Sequence, residues 1–557
     1  MNSNSWRSTR ATLLASAGLL SMVAGCGGGG TTIIFEPDAC QRLRSQSLGD
    51  IVLEQAHHED ARDGYPRHCL AQGHTLDGRV AFEVRMPQPE DWNSRLLVQG
   101  GGGYAGQLDP ALGVYRSGAD AGLLAHGYAV VTTDTGHTGN QTAEVYYQRF
   151  LDGSWGLNEP QAETDFAWRG MRAATLAAQR IVAAYEDGRS YRTYYVGCSG
   201  GGRQGLKMAE RAAELFDGFV IGDPTFAFTR DMTRMHWNRT TLQVLPLPYA
   251  KVRLIERAVI GRCDALDGAA DGIVSNPLAC SFNPFELQCS GADAPNCLTP
   301  DEAVAAFRIY SGAQDGAGHQ ITFGLPASGA EACSGLCDGS VDGNGHFREG
   351  WPWWFTGGVP SGLDTGDETK IPLTLDRTFG FVLMDQFLRY LAYTPDRPDA
   401  TWYQFDPANQ IAGLDAAQAL YDVQRVDFSD FRASGKRVLM YSGWGDALVS
   451  PLGLIDYYDR VTRASGGAAA TQSMFRLFMV PGMQHCEGGK ALDYFDAVTP
   501  LVRWVEDGVA PDTLRASNRY ETGFVGRERD LCAYPKVSVY RGRGSFDDPA
   551  SFECRAP

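Results

Sequence analysis

The stretch YYVGCSGGGRQGL, residues 194–206, constrains this chain more than any other. A β-branched and aromatic run leads into Gly197-Cys198-Ser199-Gly200-Gly201. An amphipathic helical pattern, GRQGLKMAERAAELF, comes at once after it. A strand that becomes a helix within one residue needs glycine on both sides of the apex, because a Cβ there would clash. The G-x-S-x-G pattern therefore predicts a nucleophile elbow with Ser199 exposed at the strand end. The helix N-terminus below favours developing negative charge. Cys198, beside the apex, points back beneath the turn.

Other apolar runs end the same way, in Gly or Asp: RLLVQGGGG (95–103), GYAVVTTDTGH (127–137), DGFVIGDP (217–224), KRVLMYSGWGD (436–446) and FRLFMVPGMQHC (475–486). A helical pattern covers 165–186. Strands alternating with helices predict an α/β class with a parallel sheet covered on both faces. From Pro224 to Gly435 the pattern turns irregular, rich in Cys, Gly, Pro and Trp. About 210 residues between core strands are too many for a loop and predict an inserted lid domain. The expected division is a catalytic domain over 27–224 and 436–557 and a lid over 225–435. No internal repeat is evident.

A serine at neutral pH needs a base. Asp446 and His485 close the last two predicted strands, in the order serine, acid, histidine that this elbow uses. His485 would take the proton of Ser199, and Asp446 would hold the imidazole in the right tautomer. The oxyanion needs donors. One is the N–H of Gly200. The other comes from the glycine loop VQGGGGYAG, with Gly100 as first candidate and Gly101 as the alternative; a plain flexible turn is the competing reading of that loop.

Within the insert, CDALDGAADGIVSN brings Asp264, Asp267 and Asp271 together on a glycine-spaced loop. Such hard oxygen ligands suit a structural Ca²⁺, although the spacing is not that of an EF-hand; a generic acidic turn is the alternative. GHFREGWPWWFTGG carries Trp351, Trp353, Trp354 and Phe355, which either pack the lid or line a cleft for a planar acyl group.

The N-terminus reads as an export signal. Arg7 and Arg10 precede the apolar run ATLLASAGLLSMVAG (11–25), too short to span a bilayer. The run ends in VAGC, a lipobox-like sequence that makes Cys26 a lipidation site and residues 1–26 the signal, with a flexible GGGGTT after it. Ordinary cleavage near Ala24 is the alternative. Either way the mature protein leaves the cytoplasm, as an outer-membrane lipoprotein or a periplasmic or secreted protein. Thirteen cysteines, less Cys26, leave twelve, an even number suited to an oxidising compartment. Cys40 with Cys69, Cys263 with Cys280, Cys289 with Cys297, Cys532 with Cys554 and the close pair Cys333 and Cys337 are local pairings, among many others that the count allows. No zinc-type C-x-x-C knuckles compete. The net charge of −17 and the lack of a dense Lys/Arg cluster argue against a nucleic-acid partner. A monomer is expected.

Taken together, GCSGGGRQG, CDALDGAADGIV, YSGWGDALVS, DYYDRV, VPGMQHC and TPLVRWVEDGVAPD resemble the tannase and feruloyl esterase family of α/β-hydrolases, including its bacterial branch of terephthalate-monoester hydrolases. The resemblance spans roughly residues 38–557. It implies a serine esterase that cleaves small esters of aromatic acids through an acyl-enzyme, with terephthalate-monoester hydrolysis as the alternative. It puts Ser199, Asp446 and His485 on the family triad and Gly100 and Gly200 on the oxyanion positions. It puts Asp264, Asp267 and Asp271, with the carbonyls of Ala269 and Ile273, on a structural calcium site. It implies the disulfides Cys40–Cys69, Cys198–Cys486, Cys263–Cys280, Cys289–Cys297 and Cys532–Cys554; Cys333–Cys337 has no counterpart. The monoester branch grips a free carboxylate with a lid arginine. Here Arg377 stands one residue out of register, and Ser442 replaces a histidine near the acid. A surface lipoprotein that binds aromatic ligands without turnover is the rival of another class, and it would need no intact triad.

Overall fold

Apolar runs with no polar alternation, such as FVI at 219–221, suit strands buried on both faces. In the computed structural model, which describes residues 38–114, 122–140, 151–332, 350–357, 375–489, 492–518 and 526–557, these runs form the middle of a nine-stranded sheet. Its strands are β1 (Ile51–Glu59), β2 (His68–Thr75), β3 (Ala81–Pro87), β4 (Arg95–Gln99), β5 (Ala129–Thr133), β6 (Arg192–Cys198), β7 (Gly218–Gly222), β8 (Arg437–Gly443) and β9 (Phe475–Val480). The spatial order is β1-β2-β3-β5-β4-β6-β7-β8-β9. Strands β1 to β3 and β5 pair antiparallel, and the block from β5 to β9 is parallel. The chain leaves β4 toward β5 and leaves β6 toward β7, on the other side. The loops after β4 and β6 therefore diverge, and such a switch point opens a crevice at the strand ends.

The period of two along each strand sorts the core into two layers. Phe219, Ile221, Val438, Met440, Leu96 and Val98 pack on one face, with Ala174, Ala178 and Ile181 of the helix Gly170–Tyr185. Val220, Leu439, Tyr441 and Leu97 pack on the other, with Leu501 and Trp504 of the helix Val498–Asp507. Edge strand β1 instead begins with alternating half-buried and exposed positions and buries only Ala56.

Between β7 and β8 the insert contributes the helices Phe228–Val244, Tyr249–Cys263, Pro300–Ser311 and Phe379–Tyr390. A capping box formed by Thr299 and Glu302 starts the third of these. The insert's apolar side chains, Trp351, Trp354 and Phe355 among them, build a further core. It also takes in Tyr104 and Leu448 from the loops at the strand ends and Phe166 from the helical turn Asp165–Arg169. Residues 39–557 form one compact unit. Small sheets β10-β11-β12 (Tyr494–Phe495, Thr513–Ser517, Glu528–Cys532) and β13-β14 (Val537–Tyr540, Phe552–Arg555) finish the chain.

Among the described residues five disulfides close Cys40–Cys69, Cys198–Cys486, Cys263–Cys280, Cys289–Cys297 and Cys532–Cys554, the five pairings that the resemblance implies. Cys26, Cys333 and Cys337 lie outside the described residues. Among the described residues no helix is long and apolar enough to cross a membrane. Ile221 is fully buried in a central strand. Ile221→Ala is therefore expected to lower stability by about 3 kcal/mol, read as a shift of the denaturation midpoint.

Candidate active site

Ser199 occupies the sharp apex between β6 and the helix Gly200–Arg211. It has φ +63° and ψ −124°, a conformation that costs a side-chain-bearing residue strain. The turn closes only because its flanks lack Cβ atoms. A Cβ on Gly197 would lie 2.7 Å from the Gly201 carbonyl, and one on Gly201 would lie 3.0 Å from the carbonyl of Gly100. The elbow thus packs backbone on backbone against the glycine loop after β4.

His485 and Asp446, from the loops after β9 and β8, meet the serine. His485 Nε2 lies 2.7 Å from Ser199 Oγ, and His485 Nδ1 lies 2.8 Å from Asp446 Oδ2. Asp446 Oδ1 accepts from the backbone N–H groups of Leu448 and Val449, both at 2.8 Å. Burial raises the Asp446 pKa, opposed by these bonds and by Asp223 and Arg234. The arrangement can deprotonate Ser199 through imidazole and stabilise the imidazolium that forms. The Cys198–Cys486 disulfide joins the residue before the serine to the residue after the histidine.

The glycine loop corrects one expectation. The N–H of Gly100 donates to Val196 O at 2.9 Å, extending the β4–β6 ladder by one residue, so it is not available to an oxyanion. The N–H of Gly101, the alternative, is held by Gln204 Oε1 at 3.2 Å. The backbones of Gly101 and Gly103 both face the elbow: a Cβ on Gly200 would lie 2.6 Å from Gly103 O and 3.4 Å from both Gly103 N and Gly101 O. Gly200 itself stands at the helix start, directly after the serine.

The three tryptophans divide. Trp351 packs inside the lid on Tyr310 and Phe355, and Trp353 stacks on Phe379. Trp354 instead meets the His485 ring edge-on, with centroids 5.2 Å apart. Arg377 belongs to the short turn Leu375–Arg377, and its side chain is not among those described.

The acidic loop of the insert is tightly bonded. Asp264 accepts N–H groups of Asp271, Gly272 and Ile273. Asp267 accepts from Ala269 N at 2.9 Å and from Ser275 Oγ at 2.6 Å. Asp271 pairs with the buried Arg529 at 2.6 Å and with Arg527 at 3.6 Å. Arg527 also pairs with Asp547 at 3.0 Å, so four carboxylates face two guanidiniums and negative charge is in excess. Burial, with Asp271 nearby, raises the pKa of Asp264 and Asp267. The three carboxylates are hard oxygen donors, but their oxygens do not gather within 4.8 Å of one another as those around Asp223 do, and Asp271 is already engaged by arginine.

Three site residues escape the sequence reading. Gln204 braces the glycine loop. Arg234, on the lid helix Phe228–Val244, donates to the carbonyls of Ala447 (3.0 Å) and Leu448, next to the acid. Asp223, fully buried, contacts β8 and the turn that carries His485. Asp223 ends an apolar run just as Asp446 does, so the same signal stood in the sequence.

A family model described as tannase and feruloyl esterase matches residues 68–555. The chain is 31% identical to a mono(2-hydroxyethyl) terephthalate hydrolase of Piscinibacter sakaiensis, over 93% of this chain and 92% of that protein. It is 29% identical to a probable feruloyl esterase of Arthroderma benhamiae, over 86% and 83%. Among solved structures, feruloyl esterase B from Aspergillus oryzae matches with TM-score 0.73 and 22% identity, over 93% of this chain and 99% of that one. Tannin acyl hydrolase from Aspergillus niger matches with TM-score 0.62 and 20% identity, over 92% and 93%. These structural likenesses establish the α/β-hydrolase fold.

The disulfide beside the serine closes a sequence separation of 288 residues. Chain entropy sets its upper contribution to stability on the order of 5 kcal/mol. Replacing Cys198 and Cys486 together by alanine is expected to lower the melting temperature and esterase turnover in parallel. Wild-type values for both would show the bridge to be idle.

Proposed function

The chain belongs to the tannase and feruloyl esterase family, and on that footing we propose that Ser199, His485 and Asp446 are the triad of its ester hydrolysis. The protein is a carboxylic ester hydrolase acting on esters of aromatic acids. The observation that carries the triad is the continuous chain of contacts from Ser199 Oγ through His485 to Asp446, at 2.7 and 2.8 Å. Ser199 Oγ attacks the ester carbonyl while its proton passes to His485 Nε2. The oxyanion is met by the N–H of Gly200 and by an amide of the loop beyond Gly101. Protonated His485 gives its proton to the departing alcohol, leaving an acyl-serine. Water, deprotonated by the same nitrogen, then releases the aromatic acid. The ring of Trp354 beside His485 supports an aromatic acyl group lodged next to the reacting carbonyl.

The charge left over on the acidic loop supports a structural Ca²⁺ held by Asp264, Asp267, Asp271 and the carbonyls of Ala269 and Ile273. Bound there, the ion would supply positive charge to a loop already stapled by Cys263–Cys280. The disulfides among the described residues and the N-terminal segment around Cys26 support work outside the cytoplasm.

Ser199→Ala is expected to lower hydrolysis of methyl ferulate by about 10⁵-fold and to abolish labelling by a fluorophosphonate. Undiminished turnover would sink the triad. For the ion, chelation with EGTA is expected to lower the melting temperature by a few degrees, and Ca²⁺ rather than Mg²⁺ to restore it; an unchanged melting temperature would remove calcium from the account.

A further inference from the structure

One buried carboxyl joins three of the loops and strands that carry the triad. Asp223 comes directly after β7 and is fully buried. Its N–H donates to Tyr441 O of β8 at 2.9 Å. Its Oδ1 accepts from Ser442 Oγ and from the N–H of Gly443, both at 2.9 Å. Its Oδ2 accepts from the N–H of Cys486 at 3.1 Å, one residue after His485. On its remaining side stands Asp446. An oxygen of each carboxyl and a ring nitrogen of His485 all lie within 4.8 Å of one another.

We infer that Asp223 is a positioning residue for the reaction: it holds the proton of a carboxyl pair formed with Asp446, and through Cys486 it fixes the turn that carries His485. The inference rests on the triad reading above.

The charges around the pair are few. His485 faces Asp446. From the lid helix, Arg234 reaches the carbonyls of the acid turn and pairs with Asp231 at 3.7 Å. The sulfur of Cys198 nearest Asp223 belongs to a disulfide and does not titrate. Two adjacent buried carboxyls cannot both ionise here, so they share one proton. Burial foremost, and Asp446 after it, raise the Asp223 pKa well above the carboxylate range; burial also raises that of Asp446, to about 7, against the opposing pull of Asp223, of its two backbone donors and of Arg234. The proton therefore rests on Asp223, and His485 meets a single negative charge. The second task is steric. Cys486 stands at φ +70°, a strained backbone for any residue but glycine, and its N–H is fixed by Asp223 Oδ2.

The test compares pH profiles of kcat/KM for methyl ferulate, with kcat and KM measured separately, in wild type, Asp223→Asn and Asp223→Ala. An asparagine amide is neutral, as the protonated carboxyl is, but its NH₂ cannot accept from Cys486. Asp223→Asn is expected to lower kcat about tenfold with KM unchanged. Its acid limb should stay at the wild-type pH. Asp223→Ala leaves the turn unbraced and is expected to lower kcat about a hundredfold, again with KM unchanged. Removing a true anion beside imidazole would make the imidazolium easier to deprotonate. A fall of the acid limb by about one pH unit in Asp223→Asn therefore overturns the shared proton. Wild-type kcat in Asp223→Asn overturns the positioning role, and that variant decides alone if Asp223→Ala does not fold. Turnover surviving Ser199→Ala overturns the triad reading itself; its loss there, beside unaltered Asp223 variants, overturns this inference only.

Discussion

The close approach of three backbones, Gly197, Gly201 and Gly100, is the constraint on which the rest of the site depends. With side chains excluded from that contact, β6 can turn into a helix within one residue and hold Ser199 in a strained conformation. The strain persists because the surroundings over-determine it. The Gly100 N–H is tied into the ladder, Gln204 braces Gly101, and the Cys198–Cys486 bridge fixes the residue before the apex. The serine is thus poised before any substrate arrives, and preorganisation of this kind is where much of an enzyme's rate originates.

The base and the acid are held by the same logic from neighbouring strands. β8 and β9 are parallel, so both deliver their loops to the same edge of the sheet. The acid turn folds back on itself, with Leu448 and Val449 donating to Asp446. Asp223, from β7, lies between the two loops. All four groups come from consecutive strand ends, and the sheet's register sets their spacing.

Much of this was legible in residue order. Runs such as RVLMYSG and FRLFMV are continuous and apolar, and a parallel sheet carries the residues just beyond such runs to the crevice at its strand ends, so Asp446 and His485 could be read directly. Strands β1 to β3 could not. Their sequence, with HHEDARDGYPRHC between and within β1 and β2, is broken by polar and charged residues and shows neither a continuous apolar run nor a strict period of two. The glycine loop after β4 was legible as a loop but not to the residue, because the β4–β6 ladder runs one amide past the strand, to Gly100. Asp223 ends an apolar run as Asp446 does, but the proline after it gives it the look of a turn residue. Arg234 lies in FTRDMTRMHW, a stretch whose charges read as a solvated helix face, yet its side chain is only 1% exposed. In each case the missing information is a partner distant in sequence.

That partner relation at Arg234 bears on how the molecule's parts can be exchanged. The lid helix donates to the carbonyls of Ala447 and Leu448, and insert residues share a core with Tyr104, Phe166 and Leu448. The insert is therefore not a cassette resting on a finished enzyme. A chimera that took residues 225–435 from a relative would have to bring a donor for the acid turn as well. Otherwise two buried carbonyls would lose their partner beside Asp446. Exchange of the insert is bound to the architecture of the loop that carries Asp446, and the two segments are best regarded as one unit of inheritance.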